Sequence, residues 1–318
     1  MSTSKLRSDL PDRVRVVEVG PRDGLQNQPQ KVPTPLKITF IERLAAAGLQ
    51  TVEATSFVDP RWVPQLSDAD EVLTSIKKKD GVSYPVLVPN EQGLDRALRS
   101  GAEEIAVFAS ATETFSQKNL NRSREEAHEM FRPVAKRAVD EGLRVRGYLS
   151  MVFGDPWEGD VPLADVVDGT IRLFELGCYE VSLGDTIGVG TAGRVQSLID
   201  KITSRGVDVF ALAVHFHDTY GQGLANVLAA LGMGVRVIDS SAAGLGGCPF
   251  AKSATGNLAT EDLIWMLDGL GIETGVDLRA VAAASNDLCK RTGIPIPGRV
   301  ARALAESVDP LRGESVQK

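Results

Sequence analysis

The sequence predicts an α/β protein built on one (β/α)8 TIM barrel with helices appended at its C-terminal end. Eight short runs rich in β-branched and aromatic residues alternate with longer segments of helical periodicity. Together these runs cover roughly 250 residues, the usual size of such a barrel. No Pro-, Gly- or Ser-rich linker divides them. An open doubly wound sheet is the alternative fold.

The predicted strands are short, as barrel strands are. They are residues 14–19, 51–54, 84–88, 105–109, 144–151, 179–183, 210–215 and 235–240. Between them, apolar residues recur every three to four positions, and the segments end near Gly or basic residues, as helices do. The clearest helices are predicted over residues 35–47, 123–141 and 194–203.

The chain continues past the predicted barrel as a helical cap. We expect the barrel to cover about residues 14–275 and the cap about residues 276–312, within one catalytic domain of residues 1–318. In the cap, residues 278–290 are amphipathic and residues 294–298 form a Pro-rich break. The last residues, 313–318, are polar, and we expect them to fray.

Composition and charge argue against several classes of partner. The 318 residues are 43% hydrophobic and 24% charged, and the net charge of -7 without a long basic run disfavours nucleic acid and anionic membranes. No apolar stretch is long enough to span a bilayer, and the N-terminus lacks the apolar core of a secretory signal. Three scattered cysteines, Cys178, Cys248 and Cys289, do not form a disulfide framework. We therefore expect a cytoplasmic enzyme.

Ionisable side chains gather at or just past the C-terminal ends of the predicted strands. They are Arg22, Asp23, Glu53, Asp185, His215 and His217. In a (β/α)8 barrel these strand ends form the catalytic face, so side chains from different strands converge there. The sequence thus predicts an enzyme active site on that face.

Two histidines indicate a metal site. His215 and His217 are one residue apart, so on a strand both imidazoles point to the same face and can bind one ion. Asp23 is the natural third ligand because the first and seventh strands open on the same face, although Asp before Gly is also a common turn residue. Asn257 offers an amide oxygen, with helix capping as the alternative. His128, on a predicted helix, is interpreted as structural.

Two glycine-rich stretches, residues 184–190 and 244–247, lack the position and spacing of a dinucleotide-binding loop. The second comes immediately before Cys248, as expected for a mobile active-site loop. A buried cysteine without a catalytic role is the alternative.

Taken together, five segments resemble the 3-hydroxy-3-methylglutaryl-CoA lyase family over about residues 14–275. They are VEVGPRDGLQNQ from Val17, ATSFVDPRWVPQ from Ala54, GCYEVSLGDTIGVGT from Gly177, HFHDTYGQ from His215 and GLGGCPFAKSATGNLATEDL from Gly244. Isopropylmalate and homocitrate synthases and some carboxyltransferases share the Arg-Asp and His-x-His pairs. The Gly-Gly-Cys-Pro loop is particular to the lyase. Residues 149–155 and the tail after residue 275 follow the family pattern less closely.

The resemblance implies a role for each candidate residue. Asp23, His215, His217 and Asn257 match metal ligands, usually for Mg²⁺ or Mn²⁺. The remaining matches are Arg22 as catalytic arginine, Cys248 as loop cysteine, Glu53 and Asp185 as acidic active-site residues, and Lys118 and Asn119 near the CoA moiety. The family is typically dimeric, which implies a homodimer.

The implied reaction is the metal-assisted retro-Claisen cleavage of (S)-3-hydroxy-3-methylglutaryl-CoA to acetyl-CoA and acetoacetate, in leucine degradation and ketone-body formation. It requires loss of the C3-hydroxyl proton and stabilisation of a thioester enolate. We expect Arg22 to face the enolate oxygen, Cys248 to protonate the enolate, and Asp23 or His215 to take the hydroxyl proton. A lyase for a bulkier 3-hydroxy-3-alkylglutaryl-CoA, a related Claisen-type synthase and a non-catalytic metal-binding protein are the alternatives.

Overall fold

The computed structural model describes residues 10–247 and 256–306. Within these residues, nine strand segments form one parallel sheet and two more form a small antiparallel hairpin. The segments are β1 Arg15–Glu18, β2 Thr51–Val52, β3 Thr55–Ser56, β4 Val86–Leu87, β5 Glu104–Ser110, β6 Arg144–Ser150, β7 Gly154–Asp155, β8 Gly159–Asp160, β9 Glu180–Asp185, β10 Leu212–Phe216 and β11 Val237–Ser240. The order in the large sheet is β2-β1-β11-β10-β9-β6-β5-β4-β3.

This sheet closes on itself, because its two end segments are halves of one strand. β2 pairs with β1 and β3 pairs with β4, yet only Glu53 and Ala54 separate β2 from β3 along the chain. The nine segments are therefore the eight strands of a closed parallel barrel. This confirms the predicted TIM barrel and excludes the open sheet.

Helices surround the barrel. They are α1 Thr34–Ala46, α2 Ala69–Ser75, α3 Glu91–Arg99, α4 Glu113–Leu120, α5 Arg124–Asp140, α6 Leu163–Glu175, α7 Ala192–Thr203, α8 Gly223–Gly232, α9 Thr260–Leu270, α10 Leu278–Thr292 and α11 Arg299–Glu306. The predicted helix over residues 123–141 is α5, which begins at a capping box. The Ser123 hydroxyl accepts from the Glu126 amide, and the Glu126 carboxylate accepts from the Ser123 amide.

Each predicted strand is present, with shifted ends. No end shifts by more than two residues, and one such shift is at residue 210, where a strand is predicted to begin. There the Asp208 side chain accepts from the Phe210 amide and forms a short turn, Val209–Ala211, so β10 begins at Leu212. Side-chain capping overrides the local β propensity of this segment.

Side chains alternate between the two faces of each barrel strand, so the buried residues form two regions. One face of the barrel strands packs outward against the helices and forms the main apolar core. The other face fills the barrel with small apolar clusters, such as Val17, Val19, Ala213 and Val237. Between these clusters the interior carries buried charged residues, Arg146 and Asp239 among them.

The C-terminal helices are fixed to the barrel near the ends of its strands. The Asp262 carboxylate accepts the backbone amides of Arg299 and Val300 and so caps the start of α11. The Gly298 amide donates to the Ala243 carbonyl at 2.8 Å. In the described part of the chain, no helix has both the length and the apolar character needed to cross a bilayer.

Candidate active site

The site begins with one wide helical turn, Gly20–Gly24, at the end of β1. The Val19 carbonyl accepts the amides of Arg22, Asp23 and Gly24, with the shortest contact, 2.7 Å, from Asp23. A side chain at position 20 would place its Cβ 2.6 Å from the Glu18 carboxylate, so Gly20 leaves room for that buried carboxylate. The turn directs Arg22 and Asp23 into the barrel mouth, which is the region at the C-terminal ends of the strands.

Arg22 is held between two carboxylates. Its Nε donates to Glu53 Oε2 at 2.7 Å and its Nη1 donates to Asp23 Oδ1 at 2.7 Å. Its guanidinium also lies 5.4 Å from the centre of the Tyr148 ring. Burial opposes the charge, but the two carboxylates raise the pKa of Arg22 above its ordinary value. The side chain is 6% exposed, so it is an oriented, permanent cation.

Glu53 is the opposite case, an acid placed where ionisation is costly. It is fully buried, and its Oε1 has no hydrogen-bond partner among the described residues. Burial raises the pKa of Glu53, and Arg22 offsets only part of that effect. The Glu53 backbone amide donates to the Glu18 carbonyl at 2.8 Å, which fixes the residue in the gap between β2 and β3.

Asp23, His215 and His217 form a three-residue cluster that offers ligand atoms within 4.8 Å of one another. Burial lowers the pKa of His217 to about 4, assisted by the neighbouring His215, so its imidazole is neutral at physiological pH. Burial also acts to lower the pKa of His215, but Asp239 and Asp23 raise it. Burial opposes ionisation of Asp23, and Arg22 together with the two histidines lowers its pKa.

Asn257 joins this cluster from the segment after β11. It pairs with His217 through an isolated antiparallel bridge, and its amide nitrogen donates to Asp23 Oδ2 at 2.8 Å and to the Leu245 carbonyl at 3.0 Å. The following helix, α9, has Ala259 at its N-cap position. The helix-capping alternative for Asn257 is therefore wrong.

The donor set fits a divalent cation. Asn257 Oδ1 and His217 Nδ1 are both buried and have no hydrogen-bond partner among the described residues. Buried polar atoms without partners are costly unless something binds them. Two imidazole nitrogens, one carboxylate and one amide oxygen are ligands that Mn²⁺ and related cations accept, and the carboxylate neutralises part of the charge.

The other predicted residues lie on β9 and α4. Asp185 lies at the end of β9 and accepts the amides of Val189 and Gly190 in the loop that follows. Burial raises the pKa of Asp185 to about 6. Lys118 and Asn119 are exposed on α4, where the Lys118 ammonium lies 4.8 Å from the Trp157 ring centre. The catalytic role of Asp185 and the CoA contacts of Lys118 and Asn119 stay predictions.

Cys248 lies outside the described residues, but the loop that leads to it is described. Gly244 and Gly246 have φ angles of 71° and 116°, a region that favours glycine. A Cβ at Gly246 would lie 2.5 Å from the Asn257 amide nitrogen. The backbone therefore passes directly against a candidate metal ligand just before Cys248. The other cysteines, Cys178 and Cys289, are buried, and burial raises the pKa of each to about 12.

Sequence reasoning missed a buried ion network beside the cluster. It consists of Arg146, Glu180 and Asp239, which are all buried. Burial opposes ionisation of Asp239, but Arg146 holds its pKa well below the usual range. The available signal was a charged residue inside an otherwise apolar strand, as in RVRGYLS and VIDS. Alternation alone did not show that these charges point inward.

Comparison with known proteins agrees with this geometry. Residues 13–288 match the model of the HMGL-like family. The chain is 52% identical over 303 residues to a mitochondrial hydroxymethylglutaryl-CoA lyase of Pongo abelii, covering 95% of this chain and 93% of the relative. It is 55% identical over 294 residues to a cytoplasmic 3-hydroxy-3-methylglutaryl-CoA lyase of Danio rerio, covering 92% and 88%.

A solved structure supports the same assignment. The crystal structure of hydroxymethylglutaryl-CoA lyase from Pseudomonas aeruginosa superposes with a TM-score of 0.91 at 51% identity, covering 94% of this chain and all of that one. Because the family model covers most of the barrel and the relatives cover nearly the whole chain, this protein belongs to the HMGL-like family.

Proposed function

We propose that this protein is a carbon–carbon lyase that cleaves (S)-3-hydroxy-3-methylglutaryl-CoA to acetyl-CoA and acetoacetate. The observation that carries the proposal is the position of Asp23, which lies between the Arg22 guanidinium and the two histidines of the cluster. One of its oxygens accepts from Arg22, and the carboxylate also belongs to the His215 and His217 cluster. A fixed cation and a metal-binding set thus meet at one carboxylate, in a chain similar to lyases of this substrate.

The reaction requires one site that both helps remove the C3-hydroxyl proton and stabilises the negative charge of the enolate. Breaking the bond between C2 and C3 removes the C3-hydroxyl proton and leaves negative charge on the thioester enolate. A divalent cation at Asp23, His215, His217 and Asn257 would act as a Lewis acid that lowers the pKa of the C3 hydroxyl. Mg²⁺ and Mn²⁺ are the metals that we propose.

Arg22 supplies the stabilising charge for the enolate. Its hydrogen bonds to Glu53 and Asp23 fix the guanidinium before substrate binds, so orienting it costs nothing during the reaction. We assign the first proton transfer to Asp23 or His215 and the protonation of the enolate to Cys248. Glu53 orients Arg22, and Asp185 is a second acidic residue of the active site. Lys118 and Asn119 contact the CoA moiety.

The enzyme acts in the cytoplasm, in leucine degradation and ketone-body formation, and it works as a homodimer. The barrel of about residues 14–275 and the cap of about 276–312 form one domain. The bulkier 3-hydroxy-3-alkylglutaryl-CoA lyase and the related Claisen-type synthase are the competing activities.

The test is acetoacetate release from the purified protein, before and after chelation. We expect turnover to disappear with the metal and to return with Mg²⁺ or Mn²⁺. His217→Ala should weaken Mn²⁺ binding at least tenfold, whereas His128→Ala, on α5, should leave it unchanged. Full turnover in metal-free protein, or preference for a bulkier thioester or for the condensation direction, would contradict the proposal.

A further inference from the structure

A buried ion network lies inside the barrel, next to the metal-binding cluster. Arg146, on β6, is fully buried, and its Nε donates to Glu180 Oε1 at 2.7 Å. Its Nη1 and Nη2 donate to the two oxygens of Asp239, on β11, at 3.1 and 2.7 Å. The Ser182 hydroxyl adds a third donor to Asp239 at 2.8 Å. Three donors from two strands therefore fix the orientation of this carboxylate.

The fixed carboxylate faces one of the candidate ligands. Asp239 and His215 are register partners on neighbouring parallel strands, and Asp239 Oδ2 lies 3.5 Å from His215 Nδ1. This contact is longer than a hydrogen bond, and the buried Nδ1 has no hydrogen-bond partner among the described residues. An ionised carboxylate only accepts, so the ring nitrogen that faces it is the one that carries the proton in a neutral imidazole.

We propose that Asp239 is a positioning residue for the metal site, and that it holds His215 in the tautomer protonated on Nδ1. Nε2 is then left as the nitrogen whose lone pair binds the cation. Carboxylates commonly orient metal-binding histidines in this way. The inference rests on the metal site of the proposed function, and it adds Asp239, with Arg146 and Ser182 behind it, to the residues that build that site.

Glu180 provides a matched control. It also accepts from Arg146, and its second oxygen forms an ion pair with Arg15 rather than facing a histidine. Asp239→Asn and Glu180→Gln each remove one carboxylate charge from the same guanidinium. If Asp239 served only to neutralise Arg146, the two variants would affect metal binding equally. If it positions His215, only Asp239→Asn will weaken metal binding strongly.

The experiment uses the full chain labelled with ¹⁵N-histidine, which gives signals from His128, His215 and His217 alone. The ¹⁵N shifts of a neutral imidazole distinguish the protonated from the unprotonated nitrogen, and His128→Ala and His217→Ala assign the signals. In metal-free wild type we expect His215 protonated on Nδ1, and we expect its Nε2 signal to move when Mg²⁺ is added. The shifts are read at a pH where the His215 ring is neutral, and a neutral ring protonated on Nε2 would overturn the proposal, whatever the variants do.

Mn²⁺ titration provides the second measurement. We expect Asp239→Asn to bind Mn²⁺ about 10- to 100-fold more weakly, the usual effect of losing such an orienting partner. Glu180→Gln should stay close to wild type, and equal losses in both variants would refute the positioning role. Ser182→Ala keeps every charge and should give a smaller loss, which is informative if Asp239→Asn does not fold. A wild type that binds neither ion would instead refute the metal site of the proposed function.

Discussion

Arg22→Gln separates the structural role of Arg22 from its proposed catalytic role. The substitution removes the guanidinium that hydrogen-bonds Glu53, which is fully buried. Breaking a buried ion pair by removing one partner costs about 3–5 kcal/mol of stability. Glu53 can limit this loss by taking up a proton, since burial already raises its pKa. We therefore expect a lower free energy of unfolding, with a loss that depends on pH.

The sign of this pH dependence follows from Glu53. A carboxyl whose pKa is raised in the folded state contributes its full stability below its unfolded pKa and loses it as pH rises towards the folded pKa. Without Arg22, the pKa of Glu53 in the folded protein rises further. The stability gap between wild type and Arg22→Gln should accordingly widen from acidic to neutral pH, as measured by urea denaturation.

The effect of Arg22→Gln on turnover should differ from its effect on stability. Losing one preorganised donor to a developing oxyanion typically costs 10²–10³ in kcat, or about 2.7–4 kcal/mol. Because the charge on the enolate appears only as the bond breaks, we expect a smaller change in KM. Acetoacetate release at saturating substrate, with and without added metal, measures this loss separately from folding.

The double variant Arg22→Gln/Glu53→Gln decides between the two effects. A neutral amide at position 53 needs no counter-charge, so most of the lost stability should return. Turnover should stay low, because the charge that faces the enolate is still absent. If the double variant recovered turnover, Arg22 would act only by neutralising Glu53. If it recovered no stability, the buried pair would not account for the loss.

Two further predictions concern buried groups. The pKa of about 12 for Cys178 and Cys289 makes both thiols slow to alkylate near neutral pH, so peptide mapping should find Cys248 modified first, and Cys248→Ser should lose turnover but keep metal binding. Burial raises the pKa of Glu18 to about 8, so the stability that Glu18 contributes should fall as pH rises from 4.5 to 8. Glu18→Gln keeps an oxygen acceptor for the Gly20 and Ala242 amides and should be more stable than wild type above pH 8, but not below pH 4.5. Equal denaturation curves at both pH values would contradict this prediction.

The barrel was predictable because each of its strands is a local pattern. Alternating helices and short β-rich runs specify a parallel sheet, and the number of runs specifies closure. The interruption of the second barrel strand at Glu53 and Ala54 was not predictable from the sequence, since it arises where the strand changes its pairing partner. One half of this strand pairs with β1 and the other with β4, more than 30 residues away in the chain. The change of partner is a property of the closed barrel.

The cluster was predictable for a different reason. The spacing of His215 and His217 fixes their common face, and a barrel brings Asp23 to the same mouth. Asn257 remained ambiguous from sequence, because residues ahead of a helix are often caps. The N-cap position of α9 is occupied by Ala259, which removes the capping alternative, while the metal-ligand role stays a proposal. Asp239 and Arg146 are 93 positions apart, and no local pattern shows that they form an ion pair.

The charges around the cluster predict that an anionic substrate binds only when the proposed metal is present. With both carboxylates ionised and His215 neutral, as a metal ligand must be, the single charge of Arg22 is outweighed by Asp23 and Glu53, and His217 is neutral. A substrate carboxylate would then enter a negative site. A divalent cation at the same residues reverses the sign and leaves a net positive charge. The buried network does not change this balance, because the charges of Arg146 and Arg15 cancel those of Glu180 and Asp239. In the proposed function, metal binding would therefore set the attraction for substrate as well as the acidity of its hydroxyl.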